Sequence, residues 1–171
     1  MGAPNQYDKP TDTTDVVLIV GSRKFYLSRQ WFTDRVPVLV LMHQDPRMEI
    51  WIGCERAGPE LFLGFLHCLD RLDVINEDNA IGILRWAERF ECKIVLDQIE
   101  QFFLNSSQKS ATEKLKIAME YKFLELQRQI LNNIKSAEEF WETLPVSLTE
   151  QQKIEIARMV HEHSERESGG S

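Results

Sequence analysis

Four groups of residues in the chain have the types that chemistry needs. His161 and His163 offer two imidazoles to a metal ion, and His67-Cys68 sets a base beside a thiol. Gly21-Ser22-Arg23-Lys24 offers amides and cations to a phosphate, and Glu138-Glu139 offers paired carboxylates. Spacing removes each. Residues two apart on a helix project about 200° apart, so His161 and His163 cannot share an ion. Adjacent helical residues also diverge, so His67 is a poor base for Cys68, which reads as packing. The lone glycine at 21 fits a strand-to-strand turn better than a phosphate loop. The acidic pair falls in a helix first turn, where capping explains it. Without nucleophile, base and orienter together, the expectation is a non-enzymatic protein with no cofactor and no metal.

The elements that would position any site begin at Asp15. Val16 to Val20 is a β-branched run, broken by Gly21-Ser22 and followed by Phe25-Tyr26-Leu27, which reads as a β-hairpin. Trp31-Phe32 and the apolar run Val36 to Met42 come next. Alternation makes that run strand-like, and Pro37 suits a first strand position or a first helical turn equally. After the polar turn Gln44-Asp45-Pro46-Arg47, Glu49-Ile50-Trp51-Ile52 forms a short strand. Gly58-Pro59-Glu60 has the form of a helix start, leading into the stripe Leu61, Phe62, Phe65, Leu66, Leu69.

From Asn76 the pattern is helical, with Asn76 as a cap and Glu77 and Asp78 complementing the dipole. Ser-x-x-Glu boxes recur at Ser110/Glu113, Ser136/Glu139 and Ser147/Glu150. A shift of 31 residues carries Leu84, Ala87, Phe90, Val95, Ile99 and Phe103 onto Leu115, Ala118, Tyr121, Leu126, Ile130 and Ile134. Such a repeat predicts two helical hairpins, each burying its face on its neighbour. A last helix, Ser147 to about Ser164, carries Leu148, Ile156, Met159 and Val160 on one side. The expected organisation is a disordered leader over 1–14, a core over 15–105, a helical extension over 106–164 and a flexible tail over 165–171.

Apolar content of 43% and charged content of 27% suit a globular chain, and a net charge of −7 argues against a nucleic-acid surface. Cys54, Cys68 and Cys92 are odd in number and lack a pairing spacing, so free thiols in a reducing compartment are expected. With no signal-like apolar core near Met1 and no bilayer-length apolar run, a soluble protein of the cytoplasm or nucleus with no membrane partner is expected.

Three stretches together resemble the BTB (POZ) family. Val16 to Val20 followed by Lys24-Phe25-Tyr26-Leu27-Ser28 is similar to its opening strands. Trp31-Phe32 followed by Val36-Pro37-Val38-Leu39 stands where the family has Leu and then Ser-Pro-x-Phe. Gly58-Pro59-Glu60-Leu61-Phe62 with Asn76 to Asn105 completes it, Leu84-Arg85-Trp86-Ala87-Glu88-Arg89-Phe90 being like the family's Leu-x-x-Ala-x-x-Phe. The likeness covers about residues 15–135 and is nearest to the BTB part of MATH–BTB adaptors. It implies an α/β fold of α+β type: a small sheet flanked by helices, then a helical-hairpin extension. It also implies a short buried helix over 36–42.

The resemblance implies a protein–protein interaction module that homodimerises or pairs with other BTB proteins. Its interface would map to Trp31, Phe32, Val38 and Leu41. So much apolar surface early in the chain points to a partner independently, the alternative being that these four residues fill the domain's own core. An adaptor for a cullin-based ubiquitin ligase would touch the cullin through Met42, His43, Glu49, Asn76 and Asp78. Departures are visible: Val36 replaces the usual Ser, the loop before the next strand is shortened to 44–47, and Met48 meets Glu49 without a spacer. No MATH, Kelch or zinc-finger segment is present to select a substrate. The competing reading is a BTB-only dimerisation partner, or a transcriptional or chromatin scaffold, that does not bind cullin.

Overall fold

β1 (Val16–Val20) lies at the centre of the first half of the chain because all five of its residues are buried. A β-branched run with no polar face is stable only as an inner strand covered on both sides. The computed structural model describes residues 6–36, 48–53, 57–134, 141–144, 148–151, 153–154 and 156–158. Among them β2 (Arg23–Leu27) pairs antiparallel to β1 and β3 (Glu49–Ile52) pairs parallel to it, giving the order β2-β1-β3. Gly21, at a φ of 61°, takes the first place of the two-residue turn between β1 and β2, which a residue with a Cβ resists.

Register separates the two faces of the sheet. Leu18 stands level with Phe25 and Ile50, and Val20 with Ile52, so these share the core side. There Phe25 meets Phe62 edge-to-face at 5.0 Å, and Phe62 meets Trp86 at 4.9 Å. On the other side Val17 is level with Tyr26 and Glu49, and Ile19 with Lys24 and Trp51.

α1 (Arg29–Arg35) starts at Ser28, whose hydroxyl accepts from the Trp31 N–H at 3.3 Å. α2 (Pro59–Leu69) starts as expected, with Gly58 at the cap, proline in the first turn and Glu60 beside the positive end of the helix. It buries Phe62, Phe65, Leu66, Cys68 and Leu69.

α3 (Ala80–Arg89) begins later than the sequence suggests. Asn76 is not its cap: the Asn76 side chain accepts from the N–H groups of Asp78 and Asn79, and the Asn76 N–H donates in turn to Asn79 Oδ1. Asparagine readily closes such a local turn, and the turn delays the helix by a few residues. α4 (Lys93–Asn105), α5 (Ala111–Glu120) and α6 (Leu124–Asn132) follow. The Ser110/Glu113 box is formed in both directions, at 3.3 and 3.0 Å. Ser136, Glu139 and Ser147 of the other two boxes lie outside the described residues.

The chain divides into two compact units, residues 1–102 and 103–171, and the division falls inside α4. The first unit is the mixed α/β part, with its sheet and the Phe25, Phe62, Trp86 and Phe90 cluster. The described core of the second comprises Phe103, Leu115, Ala118, Phe123, Leu126 and Ile130. Of the last expected helix, 150–151, 153–154 and 156–158 are helical, and Ile156 is buried. Among the described residues no helix is long and apolar enough to cross a membrane.

The leader departs from its composition. Within it Tyr7 is only 5% exposed. Its carbonyl accepts from the Tyr26 N–H at 2.9 Å, and Asp8 pairs with Arg23 at 2.8 Å. One aromatic ring has enough apolar area to hold a segment whose remaining side chains are small or polar.

Candidate interaction site

Trp31 and Phe32, adjacent in α1, have opposite fates. Phe32 is wholly buried and meets Phe90 edge-to-face at 6.1 Å. A side chain with no surface cannot touch a partner, so Phe32 belongs to the core rather than to an interface. Trp31 stays half-buried at the rim. The Arg35 guanidinium lies 4.8 Å from its ring, one helical turn on, where a cation–π contact is favourable.

Beside Trp31 the fold also brings together Tyr7 and Asp70, which are far apart in the chain. The Tyr7 ring lies 5.8 Å from Trp31 and 6.0 Å from His67. Its phenol donates to the Asp70 carboxylate, and Gln6 Nε2 donates to the same carboxylate at 2.7 Å. Asp70 sits at the end of α2, just before Arg71, whose φ of 59° turns the chain away. Burial, and then the acceptor Asp70, push the Tyr7 phenol well above its ordinary range, so it remains a donor. Burial also holds the His67 imidazole below its ordinary range, although Asp70 acts against that shift. Beside this cluster runs an open groove of about 440 Å³, lined by Tyr7, Tyr26, Ser28, Trp31, Asp70 and Leu72 among others.

The remaining expected contact residues do not gather here. Val38, Leu41, Met42 and His43 lie outside the described residues. Glu49 is exposed at the start of β3 and pairs with Lys24 at 2.5 Å, across the outer face of β1. Asn76 spends its side chain on its own turn, and Asp78 is exposed beside it.

Trp51 is the residue that the sequence reading missed. It is 74% exposed in β3, and Met48 beside that strand is exposed as well. The signal was in the alternation: with Ile50 and Ile52 turned to the core, Trp51 must face outward.

The described thiols, Cys68 and Cys92, offer no reactive centre, and Cys54 lies outside the described residues. Cys68 is buried and its pKa is pushed up to about 12, chiefly by desolvation, and burial raises that of Cys92 too. Among the described residues no group of His, Cys, Asp and Glu is placed to hold a metal ion. What the arrangement can do is bind: a rimmed groove with an aromatic anchor and a carboxylate that accepts hydrogen bonds.

No family model matches the chain. The BTB and MATH domain-containing protein 38 of Caenorhabditis elegans is 26% identical over 147 residues, which is 84% of this chain and 37% of that protein. The BTB and MATH domain-containing protein 15 of the same organism is 24% identical over 126 residues, 72% of this chain and 46% of that protein. The chain is thus similar over most of its length to proteins named for BTB and MATH domains, and it spans less than half of theirs.

Proposed function

We propose that the chain is a non-enzymatic BTB-type protein–protein interaction module that associates with a second copy of itself, or with other BTB chains, through the α1 face bearing Trp31. The observation that carries this reading is the split between Phe32 and Trp31: one side chain fills the core, the other stays at the rim beside a groove. A large, partly exposed aromatic is the side chain most often found carrying association energy. The similarity to BTB- and MATH-named proteins favours the same class. Val38 and Leu41 extend the proposed face on the family's pattern.

Within that class the chain would serve as a substrate adaptor of a cullin-based ubiquitin ligase, with Met42, His43, Glu49, Asn76 and Asp78 as contacts. Two observations favour the competing role, a BTB-only dimerisation partner or a transcriptional or chromatin scaffold that binds no cullin. The Glu49 carboxylate is engaged by Lys24, and Asn76 is engaged in its own turn. Either would have to surrender bonds to meet a scaffold.

Light scattering on the purified chain tests self-association: a strict monomer at high micromolar concentration removes it. A pull-down against the N-terminal region of each cullin separates the two roles. Saturable binding lost in Met42→Glu favours the adaptor. No binding, with heterodimers formed on mixing with purified BTB domains, favours the BTB-only partner.

A further inference from the structure

Asp70 stands where the stability of the fold does not ask for a carboxylate. It is the C-cap residue of α2, at the negative end of the helix dipole, where a cation is the favoured charge. Among the described residues no lysine or arginine forms an ion pair with it. Its two donors, the Tyr7 phenol and Gln6 Nε2, are neutral, and both meet Oδ2. Oδ1 takes no hydrogen bond among the described residues. The charge is therefore unanswered, and half-burial leaves it less screened than a surface carboxylate.

That charge is in the wall of the open groove of about 440 Å³, and Asp70 is the one charged residue among the described residues that line it. Tyr7, Tyr26 and Trp31 bring aromatic rings to the same lining, and Leu27 and Leu72 bring aliphatic surface. Aromatic faces attract cations, tryptophan most strongly. Trp31 already shows this with Arg35, whose guanidinium lies 4.8 Å from the ring and donates to the Trp31 carbonyl at 3.2 Å; Arg35 is not among the lining residues. Rings, aliphatic side chains and a single carboxylate together suit a cation carried on an apolar stem. With Oδ2 already taken, a guanidinium cannot be met on both prongs, whereas an ammonium needs only one oxygen. An open groove covers a free amine on too few sides, so backbone flanking the stem has to add contacts along the rim.

We propose that this groove receives a lysine side chain from an extended segment of a partner protein, its ammonium meeting Asp70 and its methylene stem lying against the aromatic lining. The inference rests on the interaction-module reading given above but not on self-association, since one copy of the chain suffices.

The test is an NMR titration of the full, isotope-labelled chain with two end-blocked peptides. One is Gly-Ser-Lys-Ser-Gly; the other carries norleucine, which keeps the carbon stem and lacks the ammonium. The lysine peptide is expected to shift the Trp31 indole and Asp70 amide signals saturably, and to bind on the order of tenfold more tightly than the norleucine peptide. Asp70→Asn, which keeps an acceptor for Tyr7, should weaken the lysine peptide about tenfold and leave the norleucine peptide unchanged. Asp73→Asn removes an exposed charge outside the lining and should change either by less than about twofold. If Asp70→Asn fails to fold by circular dichroism, the comparison of the two peptides on the unaltered chain carries the test alone. Equal binding of the two peptides overturns the proposal. Equal weakening by Asp70→Asn and Asp73→Asn overturns it too, since that marks a diffuse attraction to an acidic chain. Blocked lysine binding as tightly as the peptide overturns the partner segment as its source. Light scattering on the same samples keeps the readings apart: association without a preference for lysine overturns this inference alone.

Discussion

Glu91 and Lys122 occupy the same place in two copies of one turn, 31 residues apart, with φ values of 49° and 59°. The bonds around them match: Cys92 N–H donates to Ala87 O, and Phe123 N–H to Ala118 O, both at 2.8 Å. Each is the helix ending in which a left-handed residue lets the next amide reach back to an orphan carbonyl. A side chain bearing a Cβ is strained there, by about 1–2 kcal/mol. Glycine removes the strain but loses more freedom on folding, so the net gain is smaller. Glu91→Gly and Lys122→Gly should each stabilise the chain by roughly 0.5–1 kcal/mol, and Lys122→Val should destabilise it. Urea unfolding midpoints at constant slope check this.

The repeat shows what the sequence could express. Its small central residues, Ala87 and Ala118, and its apolar positions Leu84, Val95, Ile99 and Phe103, then Leu115, Leu126 and Ile130, are all buried. Helical periodicity carries that information residue by residue. Tyr121 and Ile134 are only partly covered, so the second copy is the looser one. The leader was illegible for the opposite reason: one tyrosine among polar residues makes no period, and its partners Trp31, His67 and Asp70 are far along the chain. The start of α3 was misplaced because Asn76 suits a cap and a turn equally, and only the surroundings choose. The inward turn of Phe32 beside the rim position of Trp31 was also hidden, since a helix of seven residues offers too few positions to fix its buried face.

Two glycines set the approach of α2 to α3. A Cβ on Gly82 would lie 2.3 Å from Leu61 Cδ1 and 2.8 Å from its Cγ, while one on Gly64 would lie 2.9 Å from Ile83 Cδ1. Alanine normally favours a helix interior by about 1 kcal/mol over glycine. Here overpacking wins, and Gly82→Ala should cost about 1–3 kcal/mol. Because the clash is with one side chain, Leu61→Ala in the same chain should cancel much of that added cost. A double-mutant cycle by urea unfolding would show coupling, and additive effects would place the strain elsewhere.

His67 gives the fold an acid-sensitive contact. Burial lowers its folded pKa below the ordinary 6.5, so the unfolded chain takes up a proton that the folded chain resists. The sign follows: this contribution is fully present above the unfolded pKa and is lost as pH falls below it, levelling off below the folded value. His67→Gln should therefore flatten the decline in stability between about pH 7 and pH 5. Urea midpoints at several pH values measure it. An unchanged slope would assign the acid loss to carboxylates instead.

Trp31 and Phe32 permit a test in which neighbouring substitutions should fail differently. Phe32 is wholly buried against Phe90, and its removal leaves a cavity in the first unit's core. Phe32→Ala should therefore cost about 3–5 kcal/mol and reduce association only by depopulating the fold. Trp31 is half-buried, beside the Tyr7 ring and the Arg35 guanidinium. Its truncation loses those contacts but leaves no internal void, so the fold should survive with a loss of about 1 kcal/mol. Association, in contrast, should weaken at least on the order of tenfold, because a central aromatic anchor contributes about 2 kcal/mol or more at an interface. Circular dichroism with light scattering, run on both variants at matched folded concentration, separates the two effects. A Trp31→Ala chain that folds and associates like the wild type would move the interface away from α1, and exposed Trp51 on β3 would be the next side chain to replace.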